Sequence, residues 1–204
     1  MQLNLFRIAY PVTSLGSGKR VVIWVAGCRK RCPGCISPEM QDPAAGNLID
    51  TAVLANHLLS LPHTFDGITI SGGEPFDQAE TLVELVGALK QARPEWTVMV
   101  YTGYLLRTVR KKAECRSLLD KVDILVDGPY RQDIPLNHPW AGSGNQSLIG
   151  LTNVGQAMLF KSTNCKQIQA SFGYAQHNSN MVIGIIEEPY RFALKKWVEV
   201  KFDG

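Results

Sequence analysis

Cys28, Cys32 and Cys35 crowd into eight residues directly behind the apolar run Val21–Ala26 (VVIWVA), which stops at Gly27. A run that short, rich in β-branched side chains, has the length of a buried parallel strand and not of a membrane span. Whatever the fold, it must end a core strand in a loop of thiols. With five cysteines in 204 residues, a specified three-cysteine spacing arises by chance on the order of 0.003 times. The odd cysteine count, and the lack of a signal-peptide pattern in MQLNLFRIAYPVTS, predict a cytoplasmic chain without a disulfide framework.

Strand and helix signals alternate after this point. Leu48–Leu61 places Leu48, Ala52, Ala55 and Leu59 at helical spacing, with Asp50 or Thr51 as cap and Pro62 near the end. Gly67–Ser71 (GITIS) is a second strand, closed by Gly72-Gly73-Glu74-Pro75. Gln78–Gln91 is an amphipathic helix carrying Leu82, Leu85, Val86 and Leu89 on one face. Trp96–Tyr101 is a third strand and Val122–Asp127 a fourth, with helical segments at Leu105–Lys112 and Cys115–Lys121 between them. Such alternation predicts an α/β fold built from βαβ units, consistent with a barrel or partial barrel. Its functional loops belong at the carboxyl ends of the strands. The cysteines, GGEP, Thr102-Gly103-Tyr104 and Asp127-Gly128-Pro129-Tyr130 each follow a strand, which points to one shared site. Gly128–Gly150 reads as a long loop. Ala157–Phe160, Lys166–Tyr174 and Met181–Glu187 read as short strands of a β-rich extension, about 151–204, packed on a core of about 18–150. Size predicts one domain spanning 1–204.

Charge excludes little. A net +3 with basic residues at 29–31 and 107–112 is a weak pointer to nucleic acid, since such faces are usually solvated. The thiols carry the chemistry. Structural zinc wants four ligands, and the first histidine is His57, on a helix. A zinc knuckle completed by a distant histidine or Cys165 is the alternative. Three thiolates on a [4Fe–4S] cube leave one iron open, and an open metal position means reactivity. Gly72 and Gly73 let backbone approach a ligand closely. Glu74 adds an anionic partner for an ammonium group, though GGEP alone is also an ordinary strand-to-helix turn.

Taken together, the loop Cys28-x₃-Cys32-x₂-Cys35 and the Ser71–Pro75 segment resemble the radical S-adenosylmethionine (SAM) superfamily. The form Cys32-Pro33-Gly34-Cys35, with Tyr101–Tyr104, Val126–Tyr130 and Gly142–Gln146, is similar to the activating proteins of anaerobic ribonucleotide reductases over about residues 18–150. Two positions depart from that pattern. Ala141 stands where an arginine usually precedes Gly-Ser, and Ile36 where an aromatic often follows the third cysteine. The resemblance implies a partial (β/α) barrel with a short β-rich C-terminal extension. It implies a [4Fe–4S] cluster on Cys28, Cys32 and Cys35 whose open iron binds SAM. Backbone around Gly34 and Ile36 would meet the adenine, and Gly72, Gly73 and Glu74 the methionine amino end. Thr102 and Asp127 would contact SAM or an associated cation, or Asp127 merely caps a turn. Asn145 and Gln146 would line the mouth, or Asn145 stabilises its loop. Cys115 and Cys165 are left as buried or half-buried thiols. The implied reaction is reductive cleavage of SAM and hydrogen abstraction from a glycine of a partner glycyl-radical enzyme, with flavodoxin or ferredoxin as reductant. Two other readings stay open: the same radical acting on a peptide, nucleotide or small molecule, and a non-catalytic iron–sulfur or zinc module.

Overall fold

The computed structural model describes residues 1–162, 170–175 and 180–184. Among the described residues, nine strands form one mixed sheet. They are β1 (Gln2–Val12), β2 (Arg20–Val25), β3 (Asn47–Asp50), β4 (Gly67–Gly72), β5 (Thr97–Tyr101), β6 (Ile124–Asp127), β7 (Ser147–Gly150), β8 (Ala170–Ala175) and β9 (Asn180–Gly184). The order is β7-β6-β5-β4-β2-β1-β8-β9, with β3 paired to β1. Parallel pairing joins β2, β4, β5 and β6, and antiparallel strands extend both flanks. No pairing closes the sheet among the described residues. The helices are α1 (Thr51–Leu59), α2 (Ala79–Ala92), α3 (Leu106–Val109), α4 (Ala113–Leu119) and α5 (Asn153–Ser162).

Side-chain alternation along the parallel strands divides the interior. Val21, Ile23 and Val25 of β2, Ile68 and Ile70 of β4, and Val98 and Val100 of β5 pack with Leu54 and Leu58 of α1 and with Leu82, Leu85 and Leu89 of α2. The opposite face stacks in register. Arg20, Gly67 and Thr97 form one layer, Val22, Thr69, Met99 and Ile124 the next. Arg20 is fully buried, yet every guanidinium N–H is used. Nε donates to Thr69 Oγ1 at 2.6 Å, Nη1 to the Ser17 carbonyl and Thr97 Oγ1, and Nη2 to the carbonyls of Ile68 and Thr97. Thr69 passes its own proton to the Leu15 carbonyl at 2.7 Å. Desolvation lowers the Arg20 pKa to about 10. Five acceptors in a rigid fork are what make this burial tolerable, a task lysine cannot perform with three donors. One end of the parallel strands is therefore sealed by a hydrogen-bonded plug.

Several elements depart from the periodicity. Leu48 lies in β3, opposite Asn4, and is 71% exposed; it does not start a helix. The Asp50 carboxylate accepts from the N–H groups of Ala52 and Val53, so α1 starts at Thr51. Its buried residues are Thr51, Leu54, Ala55 and Leu58, and Ala52 is exposed. Ala157–Phe160 belongs to α5, not a strand. The Thr152 hydroxyl accepts from the Gly155 N–H at 3.1 Å and starts the helix, a cap that a four-residue apolar run conceals. The Gly128–Gly150 loop ends early, because Ser147–Gly150 pairs with β6 as β7. The strand β1 carries no sequence signal in the reading above. Its register slips between Leu5 and Arg7, an irregularity that keeps Leu3, Leu5 and Ile8 under the helices while turning Arg7 to the other face. Within the extension, β8 and β9 agree with strand readings, while residues 166–169 and 185–187 lie outside the described residues.

Candidate functional site

The uppermost layer at the carboxyl ends of the parallel strands, Trp24, Ser71 and Tyr101, does not pack shut; it lines a cavity of about 300 Å³. Cys28, Cys32, Cys35, Gly72, Gly73, Glu74 and Thr102 reach the same wall, so the motifs that follow the first three parallel strands meet at one place. Residues from β1, β9 and the β6–β7 connection also contribute.

All three cavity cysteines are partly exposed and unpaired. Burial pushes the Cys28 thiol up, while the backbone N–H groups of Arg31 and Lys30 point at its sulfur and work in the opposite direction. Arg31 adopts φ +45° in this turn. Among the described residues no three His, Cys, Asp or Glu side chains converge on one ion-sized point. The three thiols line the wall of one cavity. Partly exposed thiols, inward-facing N–H groups and a cavity beside them fit an iron–sulfur cluster with one accessible corner.

The GGEP segment does something different from simple ligand approach. A Cβ on Gly72 would land on the backbone of Val25, and one on Gly73 on the Gly27 carbonyl. These glycines let β4 and the turn after it press against the root of the cysteine loop. Gly73 N–H donates to the Val25 carbonyl at 2.7 Å and Glu74 N–H to the Gly27 carbonyl at 2.9 Å. The Glu74 side chain is 1% exposed. Its Oε1 accepts from Phe76 N–H and from the Thr102 hydroxyl at 2.8 Å, and its Oε2 accepts from Gly103 N–H at 2.8 Å. One carboxylate thus ties GGEP to the turn after β5. Thr102 is 3% exposed and also accepts from Tyr104 N–H. Tyr104 donates its hydroxyl proton to Asp77, which accepts from Arg29 N–H of the cysteine loop, and the Lys30 ammonium lies 5.0 Å from the Tyr104 ring centre.

Desolvation raises the Glu74 pKa from 4.5 to about 7, against the opposing pull of its three hydrogen bonds. A carboxyl whose pKa is higher in the fold binds its proton more tightly there. Its stabilising contribution is full below about pH 4.5 and is lost as pH rises through about 7. Urea unfolding of the metal-free chain should show wild-type stability falling between pH 5.5 and 8 by on the order of 2 kcal/mol more than in Glu74→Gln. Equal slopes in the two proteins would show that Glu74 does not titrate in this range.

Other expected site residues divide. Ile36 lines the cavity, whereas Gly34, at φ +65°, lies in a shallow groove with Pro33 and Tyr130. Asp127 is buried and its Oδ2 accepts from Leu106 N–H at 2.7 Å, capping α3. Asn145 is exposed and bonds within its own loop, donating to the Pro129 carbonyl and accepting from the Ser143 hydroxyl. Gln146 lines the cavity and pins the loop by accepting from Gly142 N–H and donating to the Gly128 carbonyl. Cys115 is buried away from the thiol loop, near the Phe76 carbonyl; Cys165 lies outside the described residues. Tyr101, from the Tyr101–Tyr104 segment, lines the cavity, as do Arg7, Trp24, Lys30 and Ile183, which were not singled out as site residues. Alternation along β2 and β5 marks Trp24 and Tyr101 as facing away from the helices, a usable signal, whereas Arg7 depends on the β1 irregularity.

Comparison with known proteins agrees with this arrangement. Residues 14–149 match the family model of the 4Fe-4S single cluster domain. The anaerobic ribonucleoside-triphosphate reductase-activating protein of Enterobacteria phage T4 is 32% identical over 157 residues, covering 74% of this chain and 96% of the relative. Its counterpart from Haemophilus influenzae is 33% identical over 144 residues, 67% of this chain and 92% of the relative. A pyruvate formate-lyase-activating enzyme from Clostridium pasteurianum is 34% identical over 80 residues, 37% of this chain and 34% of the relative. With a thiol loop at the end of β2, GGEP at the end of β4 and matches of this extent, the chain belongs to the 4Fe-4S single cluster domain family and to the family of the anaerobic ribonucleoside-triphosphate reductase-activating proteins.

Proposed function

We propose that this chain is a radical SAM activating enzyme for an anaerobic ribonucleotide reductase. The observation that carries the reading is the single cavity shared by the three thiols and the GGEP turn, in a chain whose reductase-activating relatives match over most of their length. Its cofactors are a [4Fe–4S] cluster and SAM. When bound, they supply one-electron cleavage of SAM to methionine and a 5′-deoxyadenosyl radical, which takes a hydrogen atom from a glycine Cα of the partner.

Cys28, Cys32 and Cys35 hold the cluster. Ser71, Gly72 and Gly73 offer backbone at the end of β4 for the amino end of SAM, and the buried Glu74 carboxyl stands behind them. Ile36 and Tyr101 supply apolar surface for the adenosyl part. Thr102 acts by holding Glu74. Asp127 and Asn145 support the loops at the rim through the hydrogen bonds described above. Strands β2, β4, β5 and β6 form a partial (β/α) barrel within a core of about 18–150. The reductant is a flavodoxin or ferredoxin, and the enzyme works in the cytoplasm. No described helix is long and apolar enough to cross a membrane.

The test mixes reduced protein, SAM and an anaerobic ribonucleoside-triphosphate reductase, then records the electron paramagnetic resonance spectrum. A doublet that collapses when the partner glycine carries deuterium at Cα, with that deuterium appearing in 5′-deoxyadenosine, is the expected result. Brisk SAM cleavage driven by a small molecule, with no radical on the protein, would replace the activating role with small-molecule chemistry.

A further inference from the structure

The family match ends at residue 149, yet the cavity wall does not. Ile183 and Gly184, in the last described strand, line it beside Arg7, Leu15 and Trp24. Ile183 is 4% exposed and packs in one cluster with Leu15, Trp24 and Met40. The strand is seated firmly. β8 adds to β1 at Ala9 and Tyr10, and β9 adds to β8. Below the wall, the Ser14 hydroxyl donates to the Ile183 carbonyl at 2.7 Å and meets the Ser171 hydroxyl at 2.9 Å; Ser171 Oγ accepts from Thr13 N–H at 3.3 Å. Ser14 is 1% and Ser171 8% exposed, so these bonds form out of water, where leaving them unmade is costly.

The phage relative aligns over 96% of its length while covering 74% of this chain. Chemistry common to the family, holding the cluster and SAM, resides in the common segment. A wall added from outside that segment, and reaching the same cavity, acts on what is not common: the polypeptide brought to the radical. We infer that the β8–β9 hairpin, tethered through Ser14 and Ser171, is the specificity element that seats the glycine-bearing segment of the partner, with Ile183 as its contact in the cavity. The inference rests on the activating role proposed above. Ser14 and Ser171 are positioning residues that act through Ile183; the apolar side chain of Ile183 meets an extended segment whose target residue has no side chain to compete for the space.

The full chain, reconstituted anaerobically, is assayed as wild type, Ser14→Ala/Ser171→Ala and Ile183→Phe. Two quantities are read: 5′-deoxyadenosine released without partner, and glycyl radical formed per 5′-deoxyadenosine across a titration of an anaerobic ribonucleoside-triphosphate reductase. The double alanine variant should keep iron content and partner-free SAM cleavage within about 2-fold of wild type, while KM for the reductase rises on the order of 10-fold. Ile183→Phe, with the tether intact, should raise the same KM and lower radical yield per SAM cleaved. Thermal unfolding of each variant separates this result from loss of folding. Partner-free cleavage and partner KM deteriorating in proportion would make the hairpin a support for the SAM site and overturn the inference, as would an unchanged KM in both variants. A wild type that cleaves SAM but forms no radical on a protein overturns the activating role first, and this inference with it.

Discussion

Replacing Cys32 with alanine is expected to bring iron in the anaerobically reconstituted protein down from about four irons and four sulfides per chain to background, with loss of the brown absorbance. Two thiolates cannot hold the cube that three do, and among the described residues Cys28 and Cys35 have no nearby substitute: Cys115 is buried near the Phe76 carbonyl. Cys115→Ala should retain full iron. Exposure to air should bleach the wild type, because an iron without a protein ligand is open to oxidants. Stoichiometric zinc, with no iron taken up after anaerobic reconstitution, would overturn the cluster assignment.

Gly73→Val should cost both the SAM site and the cluster, and destabilise the chain by on the order of 3 kcal/mol. A glycine that only admits a ligand can be filled at the expense of that ligand alone. Gly73 is different, since a Cβ there would meet the Gly27 carbonyl and come within 2.9 Å of the Met40 carbonyl. Those two groups hold the base of the thiol loop, through Glu74 N–H to the Gly27 carbonyl and Gly27 N–H to the Met40 carbonyl, both at 2.9 Å. Pushing them apart moves Cys28, the next residue. Iron content, SAM binding and the denaturation midpoint should fall together. Gly73→Ala should do the same to a smaller degree. Full iron and unchanged stability with weakened SAM binding would restore the simpler view that the glycine serves only the ligand.

What was legible in the chain was local. The thiol spacing, the apolar β-branched runs and the periodic helix α2 depend on contacts within a few residues, so composition and spacing reveal them. The site motifs were legible because each interrupts a strand with residues a strand does not otherwise tolerate. Helix α1 was readable as a helix but misplaced in register, because Leu48 matches the apolar period and only backbone pairing with Asn4 assigns it to β3. Strand β1 escaped because its alternation is broken where Arg7 turns toward the cavity.

The role of individual polar side chains was not legible at all. Asp127 and Glu74 both stand at strand ends, and a sequence offers either one to a ligand. Burial and partners separate them: Asp127 serves the first N–H of α3, while Glu74, on the cavity wall, fastens two turns. The sequence alone determined that a core strand ends in a thiol loop and that a second turn, one βαβ unit later, belongs with it. Only the tertiary structure decided that Arg20 plugs one end of the strands, that Gly73 spaces backbone from backbone, and that Ile183 joins a cavity built mostly more than a hundred residues earlier. Hydrogen-bond satisfaction and close packing are settled between segments distant in the chain, and no property of either segment by itself records which partner it will meet.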